Sequence, residues 1–165
     1  MDVLGSIHVV FGLCALLTGT LVVFIRKGTR YHRTIGHWYF ASMLGLNVTG
    51  LLIYRLTGNF NFFHASALFS LTLLLIGLGS VVLLRPKKAS LERHAYFMSG
   101  SYVGVVAAAA SEVTARVPGW PLGAAVGLTT TFVVFVGVAF MARRTPLALE
   151  RLRPRRHVRE EDSAG

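Results

Sequence analysis

His94, Met98, Ser101, Val105, Ala108 and Glu112 follow one another at intervals of four, three, four, three and four within ERHAYFMSGSYVGVVAAAASEVTAR, residues 92–116. That spacing sets all six on one stripe of a helix. At about 1.5 Å per residue the segment is roughly one bilayer thickness long. An ionisable side chain deep in a membrane helix is costly and faces protein or a water-filled cavity, so the stripe is expected to point into a bundle. His8, His37 and His64 stand near the ends of other apolar runs, and His32 lies just ahead of one.

Three chemistries suit these residues. Neutral imidazole is a good axial ligand for haem iron, and histidines on facing helices can hold a haem b edge-on in a bundle. His8 with His64, and His37 with His94, would make two such cofactor sites stacked across the bilayer, a route for electrons with a possible redox role. Alternatively, His8, His64 and Glu112 form a two-histidine, one-carboxylate set for a single zinc or iron ion, with a position open for water. Such a metal site would activate water, making the chain a metal-dependent intramembrane hydrolase. The third is a non-catalytic membrane component in which the same groups hold a quinone or a lipid headgroup. Structural roles compete with each of these. Glu112 has Arg116 four residues on, the spacing of a helix-surface ion pair. His37 and His94 sit beside arginines that suit phospholipid contact, and Met98 suits packing as well as it suits iron. His32 and His157 are expected in solvent, and Asn47 is expected to bond across to another helix.

The elements that must position these groups are apolar. The chain is 53% hydrophobic and 15% charged, with a mean hydropathy of +0.59, too apolar for a soluble domain of 165 residues. The expected fold is all-α: a polytopic membrane bundle over residues 1–142, with spans near 3–25, 34–56, 62–84, 92–115 and 123–142. A basic, disordered tail is expected over 143–165. Asp2 stands where a signal peptide would carry Lys or Arg, so the first apolar run is read as a retained helix. On it Gly5, His8, Gly12, Ala15 and Gly19 share one stripe, and small residues at that spacing let helices approach closely. Thr57, Gly58 and Asn59 form a short turn, so the second and third helices are expected to be antiparallel neighbours. His64 does not share a stripe with Ser66, Ser70, Gly77 and Ser80 of its own helix, which points it away from that small polar face.

The net charge of +10 carries no nucleic-acid partner, because the basic residues lie in the gaps between apolar runs rather than on one accessible face. Arg26, Lys27, Arg30 and Arg33 fill the first gap, Arg85, Lys87, Lys88 and Arg93 the third, and seven arginines the tail; the other side holds only Arg55 and Arg116. The positive-inside rule then puts the N-terminus out and the C-terminus in, across a bacterial plasma membrane, with basic loops resting on the lipid bilayer's headgroups. Cys14 is the only cysteine, so no disulfide or paired thiolate site forms within one chain. No phosphate-binding glycine loop and no serine nucleophile motif occurs. Small-residue stripes such as Gly123 with Gly127 are compatible with a homodimer.

Three stretches carry a resemblance: HVVFG in the first helix, HRTIGHWYFASM entering the second, and RHAYFMSGSY followed by AAAASEVTARVPG in the fourth. Together they resemble a bacterial family of predicted membrane proteins, domain of unknown function 2306, over about the first 120 residues. The resemblance implies a four-helix membrane core without an established activity, to which this chain adds a fifth span. The family's recurring pattern falls on His8, Gly12, His32, Arg33, Gly36, Tyr39, His94, Met98 and Tyr102. A looser similarity to two-haem transmembrane cytochromes b rests on paired histidines on alternating helices, although those cytochromes hold their ligands farther from helix ends than His64 and His94.

Overall fold

A computed structural model describes residues 3–54, 58–84 and 87–150. Every regular element among them is an α-helix: α1 Val3–Phe24, α2 Arg30–Leu52, α3 Phe62–Val82, α4 Lys88–Thr114 and α5 Leu122–Glu150. The starts of α2 and α3 follow from their caps. Thr29 accepts a hydrogen bond from the His32 backbone N–H, and Asn61 accepts from those of Phe63 and His64. Each cap meets donors that the first helical turn leaves unpaired. The turns before and after are closed by Gly28 at φ 80° and Gly58 at φ 70°, conformations that residues with a Cβ avoid.

Three helices, α1, α3 and α5, are long and apolar enough to cross a membrane. The other two do not qualify: polar residues open them, Arg30, His32 and Arg33 in α2 and Lys88, Glu92, Arg93 and His94 in α4, and recur along them, His37 and Asn47 in α2 and Ser101, Ser111 and Glu112 in α4. Large apolar side chains face outward along the bundle, among them Leu13, Leu17, Phe69, Phe132 and Phe135. Such a surface suits acyl chains rather than water.

Residue pairs fix how the helices run. His8 meets Thr49 and Gly19 lies beside Tyr39, so α1 and α2 are antiparallel. Tyr54 lies on His64, Gly77 lies against Met98, and Ser111 bonds Thr130, so each later helix reverses the one before it. Among the described residues α1 also packs on α4, α5 packs on α4 alone, and α1 and α3 do not pack on each other. The close approaches depend on glycine: a Cβ on Gly19 would run into the Tyr102 ring and come within 3.0 Å of Tyr39, and one on Gly77 would sit 2.8 Å from Met98 Sδ. The interior is small. Ala15, Tyr39, Met43, Leu74 and Val105 are buried, with Leu16, Phe40, Leu46, Leu71, Met98 and Tyr102 packed around them.

Two differences from the sequence expectation have local causes. The α4 stripe holds through Ser101 and Val105, but beyond it the buried residues are Ala107 and Ser111, while Ala108 and Glu112 are exposed. The cause is α5: Thr130 bonds Ser111, and Thr129 donates to Thr114, which turns the end of α4 toward its neighbour. The fifth helix itself runs to Glu150 through Pro146, past the expected boundary at 142. Residues 151–165, including His157 and most of the expected tail, lie outside the described residues.

Candidate functional site

Hydrogen bonding decides what each histidine nitrogen can do. At the end of the bundle formed by the first and third loops, the basic end, His94 Nδ1 stands 2.9 Å from the Gly77 carbonyl oxygen. A carbonyl only accepts, so Nδ1 carries the proton, and in the neutral ring Nε2 keeps its lone pair. The His32 ring lies beside it, centroids 6.4 Å apart and planes at 84°. His32 Nδ1 is buried and, among the described residues, has no hydrogen-bond partner. His32 stands in the first turn of α2, ahead of the span expected from Thr34, and burial pushes its imidazole down to about 4, with the charges of Lys27 and His94 acting in the same direction. Lys27 itself donates to the Val22 and Val23 carbonyls at the end of α1 and is pushed below the usual lysine range by burial.

The partner of His94 is therefore His32, not His37, which is exposed on α2. Sequence reasoning missed this by starting the helix at Thr34 and leaving His32 in a loop. The signal was present in Thr29, whose hydroxyl caps α2 and brings His32 into the first turn.

The far end is wired differently. His8 Nδ1 lies 2.9 Å from Thr49 Oγ1. The Thr49 hydroxyl proton already goes to the Gly45 carbonyl at 2.7 Å, so the histidine is the donor. His64 is 1% exposed. Its Nδ1 accepts the Asn61 backbone N–H at 3.3 Å, completing a capping box, so its proton sits on Nε2. Tyr54 and Phe60 lie over the ring at centroid distances of 4.4 and 5.3 Å. His64 thus points inward, whereas Ser66, on the face expected to be interior, is exposed and bonds its own helix at the Phe62 carbonyl.

His8 rests on Thr49 and Gly50, and His64 meets α2 one turn further on, at Tyr54. Glu112 pairs with Arg116 at 2.8 Å, both exposed, and its charge reaches His8 across the α1–α4 interface. Among the described residues no three His, Cys, Asp or Glu side chains are grouped to hold a metal ion.

Two separate hydroxyl pairs join helices within the bundle. Ser101 Oγ donates to the Met98 carbonyl, so Tyr39 OH, 2.8 Å away, donates to Ser101. Thr20 Oγ1 donates to the Leu16 carbonyl, so Tyr102 OH, at 2.7 Å, donates to Thr20. Met98 serves as packing against Gly77, and Asn47 is buried with its amide donating to the Met43 carbonyl of its own helix.

Apolar outer faces around a thin polar interior define the class: an all-helical membrane protein. The chain belongs to the family described as predicted membrane protein, DUF2306, whose model matches residues 5–147. The match runs beyond the 120 residues of the sequence resemblance into α5, so the fifth helix falls within the family's extent. Comparison with curated proteins and with solved structures finds no match.

Proposed function

We propose that the chain is a haem-binding membrane protein with one bis-histidine site, His32 and His94, at its basic end, and that it carries electrons in a bacterial plasma membrane. The observation that carries this reading is the His32–His94 pair at 6.4 Å. With metal–nitrogen bonds of about 2 Å, two imidazoles on opposite sides of one ion have ring centres roughly 6 Å apart. The hydrogen bond from His94 Nδ1 to a backbone carbonyl is the arrangement that orients a ligating imidazole and raises its basicity. His32 supplies a buried, unpartnered nitrogen on a ring that stays neutral at physiological pH.

Donor count favours haem over a bare ion. A porphyrin provides four nitrogens and asks the protein for two, whereas zinc takes three or four protein ligands, a grouping not found among the described residues. The same wiring argues against His64 as a ligand. Its Nδ1 is engaged as an acceptor, so binding metal through Nε2 would require an imidazolate. In this reading α2 and α4 cross the bilayer together with α1, α3 and α5, N-terminus out.

The test is the absorption spectrum of protein purified from haem-replete cells. A Soret band is expected, lost in His32→Ala and in His94→Ala and retained in His37→Ala and His64→Gln. No Soret band, or one indifferent to both His32 and His94, overturns the proposal and leaves a quinone- or lipid-binding bundle ahead.

A further inference from the structure

Among the described residues, nothing receives the N–H of His64. The Asn61 N–H occupies Nδ1, which fixes the proton on Nε2, and Nε2 is buried without a hydrogen-bond partner on a side chain 1% exposed. Leaving such a donor unmet forfeits the hydrogen bond it would have made to water in the unfolded chain. A water could meet it only with two to four polar partners of its own, and the ring's faces are covered instead by Tyr54 and Phe60. Those covering rings are themselves 46% and 61% exposed, so either can turn aside. Phe62, Phe63 and Trp120 are exposed at the same end. Tryptophan and tyrosine, here Trp120 and Tyr54, gather at the membrane–water interface, the depth at which lipid carbonyls lie.

We infer that His64 Nε2–H is a binding site for the carbonyl oxygen of a membrane-soluble molecule, held edge-on between the Tyr54 and Phe60 rings. One carbonyl oxygen satisfies the donor while the rest of the molecule stays among apolar groups. The shared chemistry has two sources, the acyl ester of a phospholipid and the ring carbonyl of a quinone. The site lies at the opposite end of the bundle from His32 and His94 and does not rest on haem there.

The experiment uses the full chain labelled with ¹⁵N-histidine, in nanodiscs of ester-linked phospholipid, in nanodiscs of the ether-linked analogue that lacks acyl carbonyls, and in the latter with decyl-ubiquinone. Long-range proton–nitrogen spectra should show His64 protonated on Nε2. A downfield shift of the Nε2 proton from ether to ester lipid assigns the site to phospholipid. A shift only on adding the quinone assigns it to quinone. An Nε2 proton with the same shift in all three samples, or a ring protonated on Nδ1, overturns the inference. Because the wild-type chain is read throughout, folding of a variant does not enter, and the Soret band is a separate readout.

Discussion

A hydroxyl has one proton, and in this interior the proton is already committed. Thr49, Thr20 and Ser101 each give theirs to a carbonyl of their own helix, which forces His8, Tyr102 and Tyr39 to act as donors across the bundle. Tyr39→Phe therefore removes one buried interhelical hydrogen bond and leaves Ser101 still satisfied. The expected cost is about 1 kcal/mol, read as a modest fall in midpoint in a thermal or denaturant melt of detergent-solubilised protein. His32 gives a prediction in pH. Its imidazole is held near 4 against an ordinary 6.5, so between those values the folded ring stays neutral while a released one takes up a proton. The contribution of His32 is complete above pH 6.5 and is lost as pH falls through that window toward 4. In haem-free protein the His32 ring signals, followed by NMR, should titrate near 4, and a midpoint at 6.5 would mark His32 as an ordinary exposed histidine. None of this wiring was legible in the sequence. Residue spacing shows which face a histidine shares, but the nitrogen that carries its proton depends on partners such as Gly77 and Asn61, brought in by another helix or by a cap.

At the scale of the elements, the sequence was legible where a pattern is local. The five apolar runs became α1 to α5, and Gly12, Ala15 and Gly19 do line the packing face of α1. It was not legible where a later helix decides which face is interior. Ala108 and Glu112 keep the helical spacing of His94 and Ser101, yet α5 draws Ala107 and Ser111 inward instead. His64 was turned inward by its capping box, which periodicity within α3 could not reveal. The α3–α4 contact ties packing to the proposed site through Gly77, whose carbonyl holds His94 and whose missing Cβ admits Met98. A side chain there would meet Met98 Sδ at 2.8 Å and the Met98 backbone nitrogen at 3.2 Å, and the backbone cannot swing away. Gly77→Val is expected to push the two helices apart at a cost of about 1–3 kcal/mol. It should also weaken haem retention during purification, whereas Gly104→Ala, at a glycine where an added Cβ meets nothing within 4 Å, should leave both unchanged. Equal Soret intensity in the two variants would separate His94 from the helix contact proposed to hold it.

The whole molecule presents two unlike ends, and charge decides how they lie in a membrane. Alternating helix directions bring the first loop, with Arg26, Lys27, Arg30 and Arg33, and the third loop, with Lys87, Lys88 and Arg93, to one end, and put Arg116 at the other. Lys and Arg near short loops are retained on the cytoplasmic side. The His32–His94 site should therefore face the cytoplasm, within reach of a soluble electron donor, and the His64 site should face outward. Single cysteines introduced into a Cys14→Ser background at Lys88 and at Pro118, both exposed, report this directly. In intact cells an impermeant maleimide should label Pro118→Cys and spare Lys88→Cys, which becomes reactive only after lysis. The opposite pattern would turn the proposed haem site away from the cytoplasm. Exchanging Lys88, Arg93 and Arg33 for glutamine removes three of the eight basic residues of the first and third gaps and leaves the seven arginines of the tail, so a cysteine at residue 118 should still be labelled in intact cells.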